Sequence, residues 1–270
     1  MLKDITIGQF IDTGSFLHRM DSRIKLILTI LYVVCLFLID SPMAYAVFCL
    51  FTLFLIILSK IPVKVIIKGL KPMVFILVFT VLINIFMIPG ERVFSLDVFG
   101  LFSLGVSREG IISALFMAVR IIFLVIGTSL LTLTTTPIML TDGVEKLLKP
   151  FNKIKVPSHE IAMMMTIAIR FIPTLAEETD KIIKAQTARG ADFESGNIIK
   201  RGKAMIPILV PLFVSAFRRA DDLAVAMDSR CYHGGENRTR MKELKITSKD
   251  ILAFLVVTVI LACVILIDKI

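Results

Sequence analysis

SPMAYAVFCLFTLFLIILS, residues 41–59, carries no charge over a length that suits a bilayer crossing. A membrane-spanning helix needs about 20 mostly apolar residues. Three further uncharged runs read the same way, at 72–90, 121–141 and 251–267. A fifth, 26–39, is shorter, with Arg23 and Lys25 placed to snorkel from its end. The Asp40-Ser41-Pro42 turn separates it from the next run. The expected fold is an all-α integral membrane protein with about five transmembrane helices. Composition agrees: 56% of the 270 residues are hydrophobic and the mean hydropathy is +0.86, which a soluble domain rarely reaches. The first 25 residues are mixed polar and hold no apolar core of signal type.

The net charge is +9, and its placement orients the chain. Lys and Arg number 27 on one side of this span pattern and three on the other, with Arg120 inside a span. The positive-inside rule then puts the N-terminus in the cytoplasm and the C-terminus outside, as five spans require. Orientation and contact with anionic lipid absorb the basic excess, and no nucleic-acid partner is called for. The four cysteines form no disulfide framework: Cys35, Cys49 and Cys263 fall in spans and Cys231 on the cytoplasmic side. Three regions are expected: a membrane bundle at 1–133, a cytoplasmic region at 134–249, and a last transmembrane helix at 250–270. A loop of about 20 residues, rich in Gly, Ser and Phe, joins the third and fourth spans outside.

The cytoplasmic region reads as amphipathic helices. Thr141-Asp142 is placed to cap a short one through Leu148, stopped by Pro150. A longer one starts at Pro157-Ser158, with Ser158 as N-cap, kinks at Pro173 and ends at Gly190. A third starts near Pro207 or Pro211 and runs to about Cys231, ended by His233-Gly234-Gly235. In the second helix Ile161, Met165, Ala168, Ile172, Leu175, Thr179, Ile182 and Gln186 follow steps of four and three, one helix face. The next step is Arg189. In the third, Ala216, Ala220, Leu223 and Met227 follow the same steps, and the next is Arg230. The offset between matched positions is 41: Asp180 with Asp221, Ala185 with Ala226, Arg189 with Arg230.

One such arginine could serve as a helix cap worth about 0.3–1 kcal/mol against the macrodipole. Two with matched stripe, phase and ending point to one task done twice. Arg also offers a rigid fork that Lys lacks. A long helix ending in a fork is shaped as a plug for a socket on another protein.

Several stretches together resemble the transmembrane T component of energy-coupling factor (ECF) transporters, importers of vitamins and metals driven by ABC-type ATPases. They are Gly8-Gln9-Phe10 and the run from Ser15 to Leu26; Thr134-Thr135-Thr136-Pro137 followed by Leu147-Leu148-Lys149-Pro150; and Arg170-Phe171-Ile172-Pro173. Ala188-Arg189-Gly190 is similar to the first of the family's two Arg-centred signatures. Ser229-Arg230-Cys231 is similar to the second, without its usual Ala and Gly flanks. Ser22 stands where the family usually has proline.

The resemblance implies a multi-pass protein of the prokaryotic cell membrane. It implies that Arg189 and Arg230, with those flanks, dock on two ATPase subunits, and the differing flanks point to two different chains. The helix stripes Leu175, Ile182, Ala216, Ala220, Leu223 and Met227 would then transmit motion to a substrate-capture S subunit, for which the resemblance allows several alternative chains.

The residues agree with a non-catalytic subunit. No G-x-x-x-x-G-K-[ST] loop appears, so ATP hydrolysis would belong to partner chains. His18, His159 and His233 lack metal-ligand spacing, and there is no H-E-x-x-H, C-x-x-C or G-x-S-x-G. No catalytic residue, cofactor or metal is expected. The alternative, a self-contained secondary transporter or channel, predicts inverted repeats and paired intramembrane charges; the spans show one charge, Arg120, and no repeat. Asn84 is its foremost expected partner, with Asp40 near a membrane edge. Glu177, Glu178, Asp180, Asp221 and Asp222 are expected as solvated or paired with neighbours such as Lys181 or Arg218. Met163, Met164, Met165 and Met205 read as core, or as an adaptable partner surface.

Overall fold

The computed structural model describes residues 10–88, 92–98, 102–150, 157–193, 197–234 and 246–269. The expected Gly8-Gln9 motif, the end of the third run at Gly90, and Gly235 lie outside the described residues. Among these residues ten α-helices appear in order: α1 Phe16–Arg19, α2 Ser22–Leu38, α3 Pro42–Ser59, α4 Val63–Leu70, α5 Val74–Met87, α6 Arg108–Thr134, α7 Pro137–Leu148, α8 Ser158–Ala188, α9 Ile198–Asp228 and α10 Ser248–Lys269. The chain divides into two compact units. One contains Gly8–Gly143 with Leu244–Ile270, the other Val144–Glu243.

In the first unit α6 packs against α2, α3, α4 and α5, while α10 packs on α2 and α3. The central core gathers Tyr32, Leu36, Ile39, Phe48, Leu261 and Val264. Tyr32 is the polar member. Its hydroxyl meets Thr52 Oγ1 at 3.1 Å and donates to the Phe123 carbonyl at 3.1 Å, because a buried phenol needs a partner. Gly127 makes this possible, since a Cβ there would collide with the Tyr32 ring.

Among the described residues, four helical stretches are long and apolar enough to cross a membrane: Pro42–Ser59, Val63–Met87, Arg108–Thr134 and Ser248–Lys269. The fifth expected span, α2, has 17 residues, at the short limit for a crossing. Two of the expected stretches change their bounds. The third stretch starts at Val63, not 72, because Pro72 is absorbed in a 3₁₀ turn at Lys71–Met73 that joins α4 to α5. The fourth starts at Arg108, where Ser107 Oγ accepts the Gly110 N–H at 2.9 Å. It ends at Thr134 rather than 141, because Thr135 is extended and Thr136 precedes a proline, which disfavours helix. Pro137 opens α7, with Thr136 Oγ1 accepting the Met139 N–H at 3.3 Å. Thr141 is therefore inside α7 and not its cap.

The segment expected as a plain loop after the third stretch holds a hairpin, so among the described residues the fold is all-α apart from one small sheet. Strand β1, Arg92–Val98, pairs antiparallel with β2, Phe102–Ser107, with a bulge between Arg92 and Phe94. The sequence carries the signal: Phe94, Leu96 and Val98 alternate with Ser95 and Asp97, and Phe102, Leu104 and Val106 with Ser103 and Gly105.

Polar layers close both ends of the shorter helices. At one end Asp21 caps α2 by accepting the Arg23 N–H at 2.9 Å and pairs with its guanidinium at 2.8 Å. Burial alone would raise the Asp21 carboxyl; the hydrogen bonds and charge of Arg23 outweigh it and hold it low. Buried Lys25 donates to the carbonyls of Thr134 at 3.0 Å and His18 at 3.3 Å, and to Thr135 Oγ1 at 3.3 Å, tying α2 to the ends of α1 and α6. Asp250 accepts the Thr247 N–H at 2.9 Å and the Asp21 N–H at 3.4 Å. At the other end Asp268 accepts the N–H groups of Asp40 and Ser41 at 2.9 and 2.6 Å. From Asp250 to Asp268 α10 rises roughly 27 Å, close to the ~30 Å of a hydrocarbon core. The longer α4–α5 and α6 exceed that thickness and fit by tilting or projecting.

Lys25→Met is expected to leave the Thr134 and His18 carbonyls without their cation and to cost about 1–3 kcal/mol. Thermal unfolding of the purified protein in detergent checks it: the midpoint falls, whereas the exposed Lys64→Met leaves it in place.

Candidate functional site

In the second unit α8 and α9 are both 31 residues long. Pro157 rather than Ser158 is the N-cap of α8, and the helix continues through Pro173. The third expected helix starts nine residues before Pro207, at Ile198, and runs through both prolines. Each internal proline withholds one backbone donor, freeing the carbonyls of Ile169, Lys203 and Pro207.

The repeat extends to the backbone at the helix ends. In α8 the N–H groups of Arg189, Gly190 and Ala191 reach the carbonyls of Gln186 (3.0 Å), Thr187 (2.9 Å) and Gln186 (3.0 Å). In α9 those of Arg230, Cys231 and Tyr232 reach Met227 (3.1 Å), Asp228 (2.8 Å) and Met227 (3.1 Å). These three donors and their acceptors match at the offset of 41; the Arg189 N–H also reaches the Ala185 carbonyl at 3.2 Å. Both ends are Schellman turns, each requiring one left-handed residue. Gly190 supplies it at φ +86°, and Cys231 at φ +54°. The missing glycine flank of the second signature thus leaves the turn geometry unchanged, at a cost of about 1–2 kcal/mol for a side chain in that region.

Each turn brings its arginine out. Arg189 and Arg230 are exposed. Among the described residues neither guanidinium bonds the last carbonyls of its helix, the role a side-chain cap would take. Ala188, Gly190, Ser229 and Cys231 beside them are also exposed. Of the stripe residues, Leu175, Ile182, Ala216, Leu223 and Met227 are half-buried, and Ala220 is exposed.

Between the helices lies an ion pair that sequence reasoning assigned elsewhere. Glu178 pairs with Arg219 at 3.0 Å, not with Lys181 or Arg218. The Ser215 hydroxyl and the Arg219 guanidinium hold its carboxyl below the usual value of 4.5. Positions 178 and 219 are also 41 apart, so the two helices touch at equivalent points of the repeat. A register-matched parallel pair would contact in this way all along. It would also need the chain to return the full ~46 Å of a 31-residue helix. The nine residues 189–197 span at most ~30 Å. The helices therefore meet near one matched point and diverge. Each arginine lies 11 residues, roughly 17 Å, along its own helix from that point, so the two tips stand up to about 33 Å apart.

A second face was missed. Ile206, Val210, Phe213 and Phe217 are exposed by 53, 57, 60 and 68%, and their spacing of 4, 3 and 4 forms one apolar face of α9. The periodicity was available in the sequence.

Arg120 belongs to the bundle rather than to these helices. Asn84 bonds its own helix, donating to the Thr80 carbonyl at 2.8 Å. Arg120 instead donates to the Ile39 carbonyl at 2.8 Å, Tyr45 Oη at 3.0 Å and Asp40 at 3.1 Å, with Phe37 5.9 Å away. It fastens α6 to the α2–α3 turn.

These features define a class: a helical membrane protein joined to a pair of long helices built as a repeat, each presenting an arginine. Residues 13–241 match the family described as CbiQ, cobalt transport protein. A protein of Clostridium kluyveri named energy-coupling factor transporter transmembrane protein EcfT is 55% identical over 270 residues, 100% of this chain and 98% of that one. Proteins of the same name from Thermosediminibacter oceani and Bacillus subtilis are 55 and 47% identical, covering 94 and 93% of this chain and 94 and 93% of their own. The chain belongs to this family of membrane transport proteins.

Two outcomes test the repeat. Gly190→Ala is expected to destabilise the end of α8 by about 1 kcal/mol and Cys231→Gly to stabilise that of α9 by a similar amount, read as opposite changes in amide exchange at 187–191 and 228–232. At the contact, Glu178→Arg should loosen both helices and the double change Glu178→Arg/Arg219→Glu should restore protection. Because the folded Glu178 carboxyl is depressed, the native pair contributes fully above pH 4.5 and weakens only as pH falls below it.

Proposed function

We propose that this chain is the transmembrane coupling subunit of an ATP-driven ECF importer, transmitting motion from two ATPase subunits to a substrate-capture S subunit. One observation carries the reading: two helices with the same stripe and the same terminal turn each bring to an exposed tip, beyond a shared contact, one arginine with no carboxylate partner among the described residues. A planar guanidinium suits a socket of carboxylates or carbonyls. Two such tips separated by tens of ångströms suit two sockets on two ATPase chains, and the glycine flank of one against the cysteine flank of the other suits two different chains. The name carried by the relatives supports the assignment to an energy-coupling factor transporter.

In this mechanism ATP closure draws the two sockets together. Helices held at one matched point turn the approach of their tips into rotation about that point. The apolar face of Ile206, Val210, Phe213 and Phe217, with the methionines of α8, packs on the S subunit and tilts or releases it. ATP is hydrolysed by the partners. The N-terminus and the two long helices are cytoplasmic and the C-terminus extracellular, in line with the placement of basic residues.

The test is uptake into vesicles holding this chain, its ATPases and an S subunit, with pull-down of the ATPases. Lysine keeps the charge but loses the fork. Arg189→Lys and Arg230→Lys should each weaken uptake, and the double change should abolish assembly or uptake, as loss of a desolvated pair costs about 2–5 kcal/mol. Survival of both would move the coupling to another surface.

A further inference from the structure

Two adjoining cavities in the membrane bundle form one amphipathic site. The first, about 340 Å³, is almost wholly apolar and is lined by Leu28, Tyr32, Phe51, Leu130, Ala253 and Ile260. It runs along α10 from Lys249 to Ile260, roughly 17 Å, close to the depth of one leaflet, about 15 Å. The second, about 320 Å³, opens at its polar end and is lined by Arg19, Lys249 and Asp250; the two cavities share Phe16, Met20 and Lys249. Arg19 and Lys249 are exposed, and among the described residues neither side chain has a carboxylate partner. Asp250 is buried, 5% exposed, and its oxygens are taken by the N–H groups of Thr247 and Asp21. The pocket thus turns cations toward its opening, while its one carboxylate is engaged inward.

We propose that this site holds one anionic phospholipid, its phosphate between Arg19 and Lys249 and an acyl chain along α10. Charge sets the class of ligand and leaflet depth sets its length. A zwitterionic lipid would fill the groove equally well but would gain less from the two cations. Bound there, the lipid would bridge α1, α2, α3, α6 and α10 at the end where Lys25 already joins three of them.

The experiment uses the full-length chain in nanodiscs of equal phosphatidylglycerol and phosphatidylcholine, released for native mass spectrometry, and needs no ATPase. The wild type is expected to retain one phosphatidylglycerol in preference to phosphatidylcholine. Arg19→Gln/Lys249→Gln should lower that preference about fivefold per cation removed. Lys64→Gln, an exposed cation at the same end that lines neither cavity, should leave it unchanged. Ala253→Phe should expel both lipids. A matching thermal midpoint for the double glutamine variant shows that it is folded, and that variant decides the question if Ala253→Phe does not fold. Equal retention of the two lipids by the wild type, or a preference that survives Arg19→Gln/Lys249→Gln, overturns the proposal.

Discussion

Nine residues cannot carry a chain back along a 31-residue helix, and this limit shapes the second unit. Helices α8 and α9 repeat each other, yet the link forbids the parallel register in which the copies would lie side by side. They must touch at one matched point and separate from it. The Glu178–Arg219 pair stands at such a point, with residues related by the repeat offset. Once the contact is there, the terminal turns place two arginines on separate arms. A lone helix with a capping arginine would need none of this. The exposed guanidiniums, each left out of its own helix end, are what a two-socket partner would use.

The bundle obeys a different constraint. Its short helices are closed by polar layers roughly one hydrocarbon thickness apart, and each layer is knit by side chains reaching from one helix to the backbone of another. Lys25 and Asp250 hold one layer, Asp268 and Arg120 the other. In sequence Arg120 is a charge inside a span. It is near the middle of α6, yet its partners are the turn between two shorter neighbours, so its charge meets a carbonyl, a phenol and a carboxylate instead of lipid. Length mismatch between neighbouring helices brings it there. The groove along α10 begins at the first layer, which is why its apolar walls and cationic mouth fall in the order of a lipid.

Much of this was legible in the residues, and the misses have physical causes. Uncharged runs identify apolar helices but not where a helix stops, since helical hydrogen bonds continue through charges. Lys64 and Lys68 therefore lie in α4 instead of a loop, and α6 starts at a serine cap well before its uncharged run. A proline suits the start of a helix, yet the long α9 holds Pro207 and Pro211 inside it. The hairpin alternates in sequence, but its Gly, Ser and Phe content gives the same segment the composition of a plain connection. The matched arginines were visible from spacing alone. The Cys231 turn was not, because a cysteine gives no hint of a left-handed backbone. The Glu178–Arg219 contact was hidden too, because pairing was sought within one helix rather than across the repeat.

The central claim is that the two arginine-ended arms move relative to each other when ATP is bound. Its most direct test is the distance between spin labels at Thr187→Cys and Asp228→Cys, equivalent exposed positions two residues before the arginines, on a background free of other cysteines. Measured in the assembled transporter with and without ATP, the account predicts a shift of the whole distance distribution to shorter values on ATP binding. One unchanged distribution in both states, in vesicles that still import substrate, would contradict it.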